Sequence, residues 1–265
     1  MYKRQVNPIG PEHQPECQGC GIDNQVILAE QTFVTVPALI LQPYVVEHTL
    51  TDLKNDQVTY PGPTQGELDT ILREVHSMLP VANLGHGLDI LPPINVEWQG
   101  PLHDGEKHVF AEAMIRKFLP SGKLRDRQDN LIHIFLFSNA SNHDFLTYNN
   151  SGGIWLGLAW TGKPYAQSAA RPRDLIHELT HAIGLSHAGS MNGETTTNSD
   201  YPDPTGRIES NAYGFDIWEL RVIPPTSPDG ETYDYMSYNR ENPFWISIYT
   251  WEAVAELLGQ PGLDV

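Results

Sequence analysis

The sequence predicts a mixed α/β (α+β) domain, with a twisted sheet and helices in an upper subdomain and a loop-rich lower subdomain that ends in a helix. Strand-like and helix-like segments alternate up to about residue 187, the order of a mixed sheet. One of them, "LIHIFLFSN", is apolar on both alternating faces, as expected of a strand covered on two sides. Beyond His187 the chain becomes rich in Gly, Ser, Thr, Asn, Asp and Pro before helical spacing returns near its end. The expected organisation is an irregular arm over 1–25 and a domain over 26–265, with an upper part about 26–187 and a lower part about 188–265.

Each element follows from a local signal. "FVTVPALILQPYVVEH" is β-branched and apolar, and predicts a first strand over 38–48. "PTQGELDTILREVHSML" offers Thr64 with Glu67 three residues on, a capping box, followed by Leu68, Ile71, Leu72, Val75 and Leu79 at helical spacing. "INVEW" reads as a short strand and "KHVFAEAMIRKFL" as a second helix. His133, within the central strand, has no second His or Cys beside it and reads as a satisfied core histidine. "SGGIWLGLAWTGKPYAQSA" predicts two strands joined at Thr161–Pro164. The segments 188–211 and 224–232 read as long loops, and "WISIYTWEAVAELLG" as a final helix stopped by Gly259.

Composition narrows the function. With 33 acidic against 16 basic residues the net charge is -17, a surface that repels phosphate backbones, so nucleic acid is excluded as an expected partner. No window approaches the uninterrupted apolar length of a membrane span. The two cysteines, Cys17 and Cys20, form C-x-x-C in the arm. A zinc ribbon needs a second pair, and a redox motif belongs between a strand and a helix, so a local disulfide or two free thiols is expected.

The stretch "HELTHAIGLSH", residues 177–187, concentrates the chemistry. Pro172 suits a first helical position, and Leu175, Ile176, Leu179, Ala182 and Ile183 give the helix an apolar face. His177 and His181, four residues apart, lie on another face and can reach one ion, with Glu178 beside it. Gly184 tolerates the left-handed conformation that ends the helix, so the chain can bring His187 in from another direction. Three neutral imidazoles favour one zinc ion and leave a position open for water, the catalytic type of site. Asp200, Asp203 and Glu209 could bind calcium, but their spacing fits no standard loop, and a solvated acidic loop is the expectation.

This signature resembles that of the metzincin clan of zinc endopeptidases, H-E-x-x-H-x-x-G-x-x-H with a downstream Met-turn. The turn's counterpart is "YDYMSY", which puts Met236 where the clan has an apolar floor beneath the metal. Ala188, after the third histidine, departs from the choices of the astacins, serralysins, matrixins and adamalysins. The likeness is to bacterial secreted metzincins, and it implies a metzincin-like fold from about residue 38 onward.

The resemblance also implies roles. Zinc polarises the scissile carbonyl and acidifies its bound water, while Glu178 takes the water proton and passes it to the leaving amine. Tyr238 matches a tyrosine that reaches the metal or the oxyanion in astacins and serralysins, or else is a buried aromatic in a turn. Gly157, Leu158, Ala159 and Trp160 match the edge strand that binds a protein or peptide substrate as an added strand. A zinc-holding module that cleaves nothing is the rival reading, and the presence of Glu178 argues against it. "MYKRQVNPIG" has no signal-peptide character, so the chain is either cytoplasmic or a processed or excerpted piece of a longer secreted precursor, and the resemblance implies the second.

Overall fold

The structure, a computed structural model, describes residues 38–51, 57–81, 88–99, 116–117, 130–138, 157–189, 197–198, 200–210, 212–237 and 243–259. The arm with Cys17 and Cys20, the expected helix over 107–119 apart from its helical residues 116–117, and Tyr238 lie outside these.

The first strand, β1 (Leu39–Thr51), is long enough to serve four partners. β3 (Leu88–Ile90) runs parallel to Leu39–Leu41, and β4 (Ile94–Gln99) parallel to Tyr44–Thr49. β5 (Leu131–Phe137) runs parallel to Ile40–Val45, while β2 (Gln57–Tyr60) is antiparallel to His48–Thr51. β7 (Tyr165–Ala169) then joins β5 in parallel, and β6 (Gly157–Ala159) closes the sheet antiparallel to β7. The result is a seven-stranded mixed sheet with β6 at one edge. β5 is buried along nearly its whole length because both its faces are covered. Ile132, Ile134 and Leu136 join the aliphatic core. On the alternate positions, Phe135 stacks on Tyr44 at 4.4 Å between ring centres and meets Tyr165 at 5.4 Å. His133 is a satisfied core residue, 3.3 Å from the Tyr44 hydroxyl through Nδ1.

Two helices pack on the aliphatic face. α1 (Gln65–Ser77) starts with the expected capping box: the Glu67 N–H donates to Thr64 Oγ1 and the Thr64 N–H to Glu67 Oε2. Leu68, Ile71, Leu72 and Val75 are buried, each removing apolar surface worth about 1.5–3 kcal/mol. α2 (Pro172–Ile183) begins with its proline in the first turn and inserts Leu175, Ile176, Leu179, Ala182 and Ile183 into the same core.

After α2 the elements shrink. β8 (His187–Ala188) pairs parallel with β9 (Thr197–Asn198), β10 (Gly214–Asp216) antiparallel with β11 (Arg221–Ile223), and β12 (Thr226–Ser227) antiparallel with β13 (Gly230–Glu231). β14 (Tyr233–Asp234) runs parallel to β15 (Phe244–Trp245), and α3 (Ile248–Gly259) follows. The stretches expected as loops, 188–211 and 224–232, therefore contain paired two-residue strands. Two residues are too few to show a hydrophobic period.

Candidate metal centre and active site

α2 carries two of the histidines on the side away from its buried aliphatic stripe, and Gly184 redirects the chain toward the third. Its φ of 132° is a conformation that a side chain strongly disfavours. The Gly184 N–H donates to the Thr180 and His181 carbonyls, and the Leu185 N–H to that of Thr180, so the last turn is closed by main chain alone. β8 then brings in His187. The facing ring nitrogens of His177, His181 and His187 all lie within 4.8 Å of one another.

Main-chain carbonyls fix the tautomers of two rings. His181 Nδ1 donates to the Leu185 carbonyl at 2.7 Å, and His177 Nδ1 to the Tyr235 carbonyl at 2.9 Å. A carbonyl only accepts, so each Nδ1 holds the proton and each Nε2 keeps its lone pair toward the cluster. His181 Nε2 and His187 Nε2 are 3.0 Å apart. Burial lowers the pKa of His181, against the bond to Leu185. Burial, followed by the charge of His181, brings His187 down to about 3. Neutral imidazoles with converging lone pairs are what a metal ion requires. Two nitrogens of a tetrahedral site with bonds of about 2.0–2.1 Å stand about 3.3 Å apart, so the donor set fits a metal of this kind.

Glu178 is partly buried on the same helix and faces the sheet edge. At Gly157 of β6, a Cβ would fall 2.4 Å from Glu178 Cγ and 2.7 Å from its Oε1. Glycine at this position is therefore a space left for the glutamate. Tyr165, fully buried on β7 and donating to Gln167 Oε1 at 2.7 Å, has its pKa raised well above normal, by burial first and then by the charge of Glu178. The strand and the helix are tied together at the β6–β7 turn, where the Gly162 N–H donates to the His181 carbonyl. Among the described residues no strand pairs with the outer side of β6, so Gly157, Leu158 and Ala159 line an open edge, with Trp160 just beyond and ringed against Tyr165.

Met236 is wholly buried in the turn after β14. Its carbonyl accepts from the Ala188 N–H, next to His187, while Tyr235 gives its carbonyl to His177 and accepts at its hydroxyl from Thr180 of α2. These carbonyl partners were not foreseen from the sequence, because a main-chain acceptor carries no side-chain signature. Asp234, also buried, was missed although "YDYM" has a visible cue: an Asp accepting from the N–H two residues on is a common turn. In the acidic loop, Asp200 is exposed, and Asp203 accepts from Thr205 and from Arg207, which also pairs with Glu231 at 2.6 Å.

The family model of peptidase M66 matches residues 136–247, under half of the chain, and this span includes β6, α2, the three histidines, Glu178 and Met236. The crystal structure of metalloproteinase-II from Bacteroides fragilis is similar at 14% sequence identity with a TM-score of 0.39, covering 87% of this chain and 56% of that one. The chain thus spans about half the length of that protein. Comparison with the curated proteins finds no match. The matched span also contains the histidine group able to hold a metal ion.

Proposed function

We propose that the protein is a secreted, zinc-dependent endopeptidase of the metzincin type, which hydrolyses peptide bonds of protein or glycoprotein substrates with Glu178 as general base. The observation that carries this reading is the conjunction of three converging ring nitrogens with a carboxylate packed against β6, the edge strand among the described residues. The described residues gather three ligands, the number that a catalytic zinc site combines with water. Zinc held by His177, His181 and His187 would supply Lewis acidity, polarising the scissile carbonyl and lowering the pKa of water.

The chain's own residues do the rest. Glu178 accepts the proton of the attacking water and delivers it to the leaving amine, a transfer that needs a carboxylate within hydrogen-bonding reach of both. The main chain of Gly157, Leu158 and Ala159 binds the substrate as an added strand, and Trp160 flanks it. Met236 is the Met-turn methionine, an apolar floor beneath the histidines. Tyr238, two residues on, is the candidate donor to the developing oxyanion. The acidic composition supports an extracellular setting. Stripping the purified protein with a chelator should abolish cleavage of a denatured protein, and zinc should restore it. Cleavage that survives complete metal removal, or its absence from zinc-loaded protein, overturns the reading.

A further inference from the structure

We infer that Asp234 is a positioning residue for the metal centre, its buried carboxylate setting the turn that aims both His177 and His187. The inference rests on the metal-site reading above and extends it beyond the residues that would touch the ion.

Asp234 is completely buried at the end of β14. Its Oδ1 accepts from the Met236 N–H at 2.8 Å and its Oδ2 from the Ser247 N–H at 2.9 Å. The hydroxyls of Ser247 and Thr250 add two further hydrogen bonds. Burying a carboxylate is unfavourable unless donors replace its water, and here four do. One oxygen orients the peptide unit between Tyr235 and Met236, the unit that also carries the Tyr235 carbonyl. The other anchors them to the start of α3, where Ser247 Oγ also accepts from the Thr250 N–H.

The consequences reach the histidines through two hydrogen bonds. The Tyr235 carbonyl, fixed between Asp234 and Met236, accepts from His177 Nδ1. The Met236 carbonyl accepts from the Ala188 N–H at 3.1 Å, which sets the strand that carries His187. His181 is oriented separately, by Leu185 on its own helix end. Loss of the Asp234 carboxylate therefore perturbs two of the three ligands and leaves the third in place. Asparagine keeps the volume but turns an NH2 group toward an N–H, because every partner of this side chain is a donor.

The test compares wild type with Asp234→Asn and Ser247→Ala, measuring the zinc Kd by chelator competition, the visible spectrum of the cobalt(II)-substituted protein, and the metal-free fold by circular dichroism. Partners that orient metal-binding histidines are typically worth about 10–100-fold in affinity. Asp234→Asn is expected to weaken zinc by that factor and to shift the cobalt bands while the secondary structure persists. A folded Asp234→Asn protein with wild-type zinc affinity and an unaltered cobalt spectrum overturns the inference, whatever its melting temperature. If that variant does not fold, Ser247→Ala decides: several-fold weaker zinc upholds the positioning role, and unchanged affinity ends it. Wild type that binds no zinc defeats the metal reading itself, and this inference with it.

Discussion

Replacing Gly157 by alanine tests whether the sheet edge and the glutamate form one catalytic unit. The added Cβ would lie 2.4 Å from Glu178 Cγ, 2.7 Å from Oε1 and 2.8 Å from Cδ, where ordinary carbon contacts begin near 3.5 Å. About 1 Å of movement is needed. β6 is hydrogen-bonded to β7 through Ser168, Gln167 and Ala166, so the side chain of Glu178 is the part that yields. If Glu178 is the proposed base, a displacement of that size costs on the order of a hundredfold in kcat/KM, equivalent to about 2.7 kcal/mol of transition-state stabilisation. Folding stability should change little, since alanine in place of glycine restricts the unfolded chain by about 0.4–1 kcal/mol and offsets the crowding. The assay is kcat/KM on a quenched fluorescent peptide, with zinc content and melting temperature measured on the same preparations. Gly157→Ala protein with full zinc and a rate within threefold of wild type would refute the argument that this glycine makes room for the base.

His181→Ala removes a proposed ligand whose ring is buried and donates to Leu185, so the zinc-induced rise in melting temperature should vanish. The metal-free protein should lose only about 1–2 kcal/mol, and scanning calorimetry with and without zinc separates the two effects. Metal-free protein should also lose stability in acid. Folded His187 stays neutral down to about pH 3, whereas an unfolded histidine takes up its proton near the ordinary value of 6.5. Its contribution is therefore complete above about pH 6.5 and is lost as pH falls through the window toward 3. Urea midpoints from pH 7 to 4 should fall less steeply in His187→Gln than in wild type, and an equal or steeper slope would contradict the assignment.

What was legible in the sequence was what is decided within a few residues. The Thr64–Glu67 capping box, Pro172 at the start of α2, Gly184 at its end and the Thr161–Pro164 turn each rest on local chemistry, and each recurs in the structure. β2 was not anticipated because its side chains are largely exposed and give no alternation, nor β3 because three residues set no period. The grouping of His177, His181 and His187 was readable from their spacing, whereas what orients them was not. The Tyr235 carbonyl lies 58 residues from His177 in the chain, and any residue type could supply it. Gly157 was readable as part of the edge strand, and the packed structure alone identifies Glu178 as its neighbour.

The central claim, that a metal-dependent peptidase uses Glu178 as its base, is tested most directly by exposing a denatured proteome to zinc-loaded wild type and to zinc-loaded Glu178→Ala, then sequencing the new N-termini. General base catalysis contributes about a hundredfold to ten-thousandfold, so the account predicts abundant new N-termini with wild type and almost none with the variant, at equal zinc content. The same N-termini arising at the same rate from both proteins would contradict it.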